Sequence, residues 1–299
     1  MSLDLPLVWA GLLGFAVLAY ILLDGFDLGV GILFPLVPGE ANRDEMMNSV
    51  APVWDGNETW LVLGGGGLFA VFPLAYAVIM PALYAPVIAM LLGLVLRGVA
   101  FEFRWKTQRG KFVWDWAFAS GSMIAAFAQG IALGALVQGI PVAGRAYAGG
   151  WWDWLTPFSV VTGIALVVGY ALLGATWLIY KTEGHVRERA YAFARITAIG
   201  TLGLIFVVSL WTPFLNASFM HRWFAWPQIA IVAPVPSPAV VVMRETDLKH
   251  FTPDWTVAVW GTAMVSVIAL PSTSLPVMTT LAGASEGVTP AVVTVMGRG

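Results

Sequence analysis

Hydrophobic positions occur in long charge-free runs, and the polar positions gather between them. A helix needs roughly 20 apolar residues to cross the hydrocarbon core of a membrane. The runs that meet or approach this length cover residues 5–23, 59–96, 116–144, 154–180 and 196–220. The run 59–96 holds most of two spans, with a break at Pro73. The runs do not alternate like barrel strands, so the pattern predicts an all-α polytopic integral membrane protein.

Two further spans, 223–243 and 255–284, are doubtful. The first contains four prolines, which interrupt a helix, and the second is rich in Ser, Thr and Pro. Of 39 aromatic residues, the last 69 positions hold only Phe251, Trp255 and Trp260. We therefore expect about eight transmembrane helices. Segment 231–299 is interpreted as divergent, or as the product of a reading-frame error in the parent gene.

The composition supports a membrane protein and excludes several other classes. Hydrophobic residues make up 59% of the 299 positions and charged residues only 11%, whereas a soluble domain has about 25% charged residues. A net charge of −2 gives no basic surface for nucleic acid. The absence of cysteine excludes disulfides, Cys-ligated zinc and iron–sulfur clusters.

The distribution of Lys and Arg predicts the orientation in the membrane. Cations concentrate in segments 97–111 and 181–195, and alternation places Arg43, Arg244 and Lys249 on the same side. The opposing connections hold only Arg145 and Arg222. Under the positive-inside rule, the N-terminus lies outside and the basic loops are cytoplasmic. The residues before the first run carry no Lys or Arg, so we expect the first helix to be retained rather than cleaved as a signal peptide.

Ionisable residues at membrane depth are costly and mark candidate sites. Asp24 and Asp27 are three residues apart at the end of the first run, so they share one helix face. Gly25 and Gly29 form a small-xxx-small step that lets another helix approach closely. The alternative is a helix end whose carboxylates are solvated among the lipid headgroups.

A second acidic group opens the next span. Asp55, Glu58 and Thr59 fall on one predicted helix face, flanked by Trp54 and Trp60. Carboxylates beside Asn and Thr can pass protons along a hydrogen-bonded chain. The alternative is an acidic first turn that interacts favourably with the helix dipole.

Buried cations are predicted in segment 97–104. Arg97 and Arg104 are seven residues apart on one stripe, and Arg97 is deep enough to reach a carboxylate on a neighbouring helix. For Arg104, snorkelling to the headgroups is at least an equal alternative. Gln129 and Gln138 lie inside the fourth span, where we expect them to bond across helices in a structural role.

The same clusters resemble a known family. The sequence is similar to subunit II of cytochrome bd-type quinol oxidases, and the matching motifs occur in family order over residues 1 to about 230. They lie at residues 24–31, 48–61, 97–104, 114–118, 121–122, 136–139 and 174–178.

This resemblance implies nine helices in two four-helix bundles with one extra helix. Residues 1–145 would form the first bundle and 146–230 the start of the second, followed by the divergent segment 231–299. It also implies a multi-pass protein of a bacterial or archaeal plasma membrane. Haems b558, b595 and d would belong to a haem-bearing subunit I, in agreement with histidines only in loops or at helix ends in this chain: His185, His221 and His250.

The implied function is that of the non-haem-ligating subunit of a terminal oxidase of the aerobic respiratory chain, an enzyme complex that couples quinol oxidation to reduction of O2 to water. The implied proton route from the cytoplasm passes Asp55, with Glu58, Asp24 and Asp27 as further members. We assign structural or interface roles to Arg97, Arg104, Gly25, Gly29, Trp54 and Trp60. Expected partners are subunit I, a small single-helix accessory subunit, membrane lipid and quinone, which some family members hold as a structural cofactor.

Two other functions stay open on the sequence. A stand-alone proton-coupled secondary transporter could use the same four acids, and a broken helix at residues 64–67 would favour it. A purely structural assembly subunit would use none of them for proton transfer. An oxidase subunit should purify with haem, whereas a transporter should be colourless.

Overall fold

The computed structural model describes residues 4–224 and is almost entirely helical there. Its α-helices are α1 (Leu5–Leu33), α2 (Glu40–Val50), α3 (Trp54–Val71), α4 (Pro73–Ala82), α5 (Tyr84–Lys106), α6 (Lys111–Gln138), α7 (Pro157–Lys181), α8 (Gly184–Trp211) and α9 (Ala217–Phe224). Two 3₁₀ turns, Phe34–Leu36 and Thr212–Phe214, extend α1 and α8. A small antiparallel hairpin pairs β1 (Val142–Ala143) with β2 (Ala146–Tyr147) between α6 and α7.

Within the described residues, five helices are long and apolar enough to cross a membrane. They are Leu5–Leu36, Tyr84–Lys106, Lys111–Gln138, Pro157–Lys181 and Gly184–Phe214. These helices confirm five of the six firm spans. The remaining span corresponds to α3, whose 18 residues reach about 27 Å at 1.5 Å per residue. The doubtful spans lie beyond the described residues, apart from the last residues of α9.

The break in the long apolar run lies at Phe72, immediately before Pro73. Phe72 has φ −123° and ψ 60°, which ends α3, and Pro73 opens α4. The glycines at 64–67 are helical, so the broken helix that would have favoured the transporter alternative is not found there. Glycine keeps its backbone N–H and can therefore stay in the hydrogen-bond pattern of a helix. Proline lacks this donor, and its ring clashes with the preceding turn.

Small residues position the central helices. α1 packs against α3, α6 and α7, while α6 also contacts α5 and α7. Gly29 of α1 meets Gly174 of α7 so closely that a Cβ atom on Gly29 would overlap the carbonyl oxygen of Tyr170. Gly25 lies against the ring of Tyr170. The predicted close approach at Gly25 and Gly29 is thus confirmed.

The short helix α2 joins the basic connections at one end of the molecule. Arg104 Nη1 donates to Asp44 Oδ1 at 2.6 Å, which ties the end of α5 to α2. The backbone N–H of Glu183, between α7 and α8, donates to Glu45 Oε1 at 3.1 Å. These contacts confirm that the basic loops share one end. Their assignment to the cytoplasm stays a prediction from the positive-inside rule.

Candidate functional site

A buried arginine lies at the centre of the candidate site. Arg97 of α5 is fully buried, and its Nη1 donates to Asp24 Oδ1 on α1 at 2.7 Å. The same Nη1 lies 3.4 Å from Glu58 Oε1 on α3. Arg97 Nη2 lies 3.7 Å from Asp27 Oδ2, which is within ion-pair distance but too long for a good hydrogen bond. The site therefore joins three helices through one cation.

The position of Asp24 and Asp27 follows from the length of α1. The helix continues to Leu33, well past both acids, and buries its last nine residues from Gly25 onward except Phe26. Asp24 and Asp27 each have 0% of their surface exposed. The alternative of a solvated helix end is therefore wrong for this pair, because an arginine on another helix compensates the burial of the carboxylates.

Asn57 of α3 is a member of the site that the sequence analysis mentioned only as a polar neighbour of the carboxylates. Its side-chain Nδ2 donates to Asp27 Oδ2 at 2.7 Å and to the carbonyl oxygen of Leu23 at 3.1 Å. It is buried and fixes the rotation of α3 against α1. The sequence feature that could have identified Asn57 is its place in the acidic motif, two residues after Asp55 and directly before Glu58.

Aromatic rings cover the guanidinium. Trp54 and Phe101 stack with ring centroids 4.8 Å apart, and the guanidinium carbon of Arg97 lies 5.9 Å from each ring. Such contacts favour a desolvated cation. Trp60 instead packs edge-on against Phe15, at 5.8 Å, so the two tryptophans of the motif have different positions.

Asp55 lies on α3 but outside the buried cluster. Its side chain and that of Thr59 are on the exposed side of the helix, whereas Glu58 turns toward Arg97 and is half-buried. The structure therefore separates the acids that the sequence placed on one face. Asp24, Asp27 and Glu58 converge, and Asp55 points away from them.

Four buried polar atoms of the cluster have no hydrogen-bond partner among the described residues. They are Asp24 Oδ2, Asp27 Oδ1, Arg97 Nε and Arg97 Nη2. Two are acceptors or acid oxygens and two are donors, so ordered water could satisfy them. With all side chains ionised, the cluster would hold three negative charges and one positive charge.

A second hydrogen-bonded group adjoins the cluster deeper in the bundle. Gln129 Nε2 of α6 donates to Tyr20 Oη at 2.7 Å, and Tyr170 Oη donates to Gln129 Oε1 at 2.8 Å. Tyr20 lies one helical turn before Asp24. The expected bonding of Gln129 across helices is confirmed, and Gln138 likewise donates to Thr156 Oγ1 at 2.7 Å. The two tyrosines were missed because tyrosine in an apolar span carries no distinctive pattern.

Arg104 belongs to a separate ion-pair network near the end of α5. Its side chain is fully buried, and its Nε donates to Asp115 Oδ1 at 2.6 Å. Asp115 Oδ2 also accepts from Arg43 Nη1 at 2.8 Å. The snorkelling alternative for Arg104 is therefore wrong, because acids on α2 and α6 provide the partners that the headgroups would have supplied. The neighbouring Lys106 is exposed.

The residues of this site lie within a segment that matches a known protein family. Residues 5–297 match the family described as cytochrome bd terminal oxidase subunit II. This chain belongs to that family. The match reaches residue 297 and so includes most of segment 231–299, whose interpretation as divergent or frame-shifted stays a prediction.

Curated relatives carry the family's name. Over 215 residues the chain is 34% identical to the cytochrome bd-I ubiquinol oxidase subunit 2 of Escherichia coli K12 and to a probable cytochrome oxidase subunit 2 of Haemophilus influenzae. These alignments cover 69% of this chain and 57% of each relative. A cytochrome bd ubiquinol oxidase subunit 2 of Bacillus subtilis is 29% identical over 270 residues, covering 88% of this chain and 78% of the relative. The chain thus matches little more than half the length of the first two relatives.

Proposed function

We propose that this chain is the non-haem-ligating subunit of a bd-type terminal oxidase in a bacterial plasma membrane. In this role it stabilises a haem-bearing subunit I and conducts protons from the basic end of the bundle toward the oxygen-reducing site. The complex would oxidise quinol and reduce O2 to water. Haems b558, b595 and d would lie in subunit I, and a structural quinone and a small accessory subunit are further proposed components.

The observation that carries the proton role is the buried cluster of Asp24, Asp27 and Glu58 around Arg97. A purely structural ion pair needs one acid for one arginine, whereas this cluster has three. Acids in excess of their cation, at membrane depth, are typical of proton relays. The side chain of Glu58 is 25% exposed, so it can exchange protons with water while bonded to the buried part.

The exposed side of α3 is the proposed contact with subunit I. It presents Asp55, Thr59, Val62, Gly66 and Phe69, which recur with helical spacing. Small residues on a membrane helix permit close packing of a second helix. In this position Asp55 would lie in the interface, one helical turn from Glu58, and would pass protons from the cluster to the partner.

Asp55→Asn tests this function in the purified two-subunit complex. The substitution keeps the side-chain shape and removes the titratable group, so we expect slower oxygen consumption with an unchanged haem spectrum. Glu102→Gln is the matched control, because Glu102 is an exposed acid whose partner among the described residues is Lys106, at 3.1 Å. The control should retain the parent rate.

Equal turnover of the Asp55→Asn and parent complexes would contradict the proton role and leave an assembly subunit as the explanation. Loss of haem from the Asp55→Asn complex would instead assign Asp55 to the contact between subunits. Measuring the spectrum and the rate on the same preparation separates these two outcomes.

A further inference from the structure

We propose that the cluster around Arg97 is a proton-binding site and that its proton resides on Asp27. The cluster brings three carboxyl groups to one guanidinium, as described above. Asp24 and Arg97 already form a neutral pair at 2.7 Å. The remaining two acids would leave two uncompensated negative charges beside a membrane-spanning helix, which is too costly unless a proton binds.

The three acids differ in what stabilises their negative charge. Asp24 accepts a short, charge-assisted hydrogen bond from Arg97, the strongest type in proteins. Glu58 is 3.4 Å from the same guanidinium nitrogen, and its partly exposed side chain can reach water. Asp27 has a side chain with 0% exposure and lies 3.7 Å from Arg97 Nη2. Asp27 is therefore the acid with the weakest compensation.

The groups around Asp27 support a neutral acid. The charged groups that act on it are Arg97 of α5, Asp24 of α1 and Glu58 of α3, so acids outnumber cations. On α6 and α7, the polar side chains that adjoin the cluster next to Asp24 are Gln129 and Tyr170, which are uncharged and bond to each other.

The individual oxygens of Asp27 agree with this assignment. Asp27 Oδ2 accepts a hydrogen bond from Asn57 Nδ2 at 2.7 Å, as a carbonyl oxygen would. Asp27 Oδ1 is buried without a partner among the described residues. As an acid hydroxyl it would become a donor, in a cluster where Asp24 Oδ2 is an acceptor that also lacks a described partner. For an ionised carboxylate, a buried oxygen without a hydrogen-bond partner would leave the desolvation free energy uncompensated.

A protonated Asp27 divides the work among the acids. Asp24 is the permanent counter-ion of Arg97, Glu58 exchanges protons at the accessible edge, and Asp27 stores one proton. The storage role rests on the proposed function, because it supposes that protons pass through the cluster. The protonation itself does not depend on that function.

Infrared spectroscopy of the purified complex at neutral pH tests the assignment. A protonated carboxylic acid gives a C=O stretching band that shifts in heavy water. An ionised carboxylate does not give this band. We expect the band assigned to the cluster in the parent complex to disappear in Asp27→Asn and to persist in Glu58→Gln and in the surface control Glu102→Gln. Because Asn resembles a neutral acid in shape, Asp27→Asn should also keep the apparent melting temperature.

Persistence of the complete acid band in Asp27→Asn would overturn the proposal, as would its loss in Glu58→Gln. Should Asp27→Asn fail to assemble, the parent protein decides: an Asp side chain labelled with ¹³C must still show a protonated band at neutral pH, and its absence overturns the proposal. The Asp55→Asn turnover is measured separately. If the acid band is assigned to Asp27 but the turnover of Asp55→Asn is unaffected, the proposed proton transfer is contradicted and the protonation of Asp27 is supported.

Discussion

At the scale of single residues, Arg97 determines whether three acids can remain buried together. Its guanidinium contacts Asp24 directly and lies near Asp27 and Glu58. The free-energy balance of such a site is asymmetric. Replacing a whole buried ion pair by apolar residues is often tolerated, whereas removing one partner leaves an uncompensated charge.

Arg97→Met should therefore destabilise the protein strongly. We expect a loss of about 3–5 kcal/mol in the free energy of unfolding, which is the usual result of breaking a buried pair. Arg97→Lys keeps the positive charge and loses the planar fork, so it should recover part of the stability. Thermal unfolding in detergent measures both variants. A melting temperature for Arg97→Met equal to that of the parent would contradict a central role for this cation.

The sequence predicted the buried ion pair of this site better than the other contacts around it. The partnership of Arg97 with a carboxylate on another helix was predictable, because a deep cation in an apolar run needs a counter-ion. The contribution of Asn57 and the outward position of Asp55 depend on how far α3 is rotated against α1. Helical spacing groups residues on a face, but it does not say which face a neighbouring helix covers.

At the scale of secondary-structure elements, the contact between α1 and α7 positions both acids of α1. Gly29 and Gly174 allow the two backbones to touch, and there is no room for a side chain between them. The small-xxx-small spacing predicted a close contact at Gly29. The partner helix was not predictable, since several other helices also contain small residues.

Gly29→Ala should separate α1 from α7 and destabilise the fold. Because the added methyl group would overlap backbone atoms, we expect a cost of at least about 1–3 kcal/mol, as for overpacked cores. Gly203→Ala in α8 is the matched control, since nothing lies within 4 Å of the position a Cβ atom would take. Thermal unfolding of the two variants should show a lower midpoint for Gly29→Ala alone. Equal midpoints would show that the helices tolerate the methyl group.

The connections at the basic end show where pattern analysis fails at this scale. The first apolar run ends at residue 23, yet α1 continues to Leu33, because α5 provides the counter-ion for its acids. Helix α2, in which five of the first six residues are polar, gives no membrane signal and was not predicted. It forms because acids and bases on other helices bond to its side chains.

Arg104→Gln tests whether these ion pairs hold the basic end together. Arg104 bonds to both Asp44 and Asp115, so its removal leaves Asp44 of α2 without this partner and Asp115 of α6 with Arg43 alone. We expect faster proteolysis near α2 and a stability loss of about 1–3 kcal/mol, because Asp44 is partly exposed and Asp115 keeps Arg43 as a partner. Lys106→Gln is the control, because its exposed pair should contribute less than about 1 kcal/mol. Equal cleavage rates for the two variants would contradict the role of the network.

At the scale of the whole molecule, the ion pairs within residues 4–224 are concentrated toward the basic end of the bundle. The ion pairs of α2 lie at the basic end. The Arg97 cluster lies about two turns of α5 farther from that end, and Asp55 is exposed on α3. The predicted spans and the shared end of the basic loops followed directly from hydrophobic runs and charge distribution, which depend on the membrane rather than on packing. The division into bundles at residue 145 stays a prediction.

The most direct test of the central claim is a reduced-minus-oxidised visible spectrum of the tagged chain, purified gently from its native membrane. As the proposed subunit of a bd-type oxidase, the chain should bring a partner with it and show the bands of haem b and haem d. A colourless preparation that contains the intact, folded chain would contradict membership of an oxidase complex and would favour the transporter.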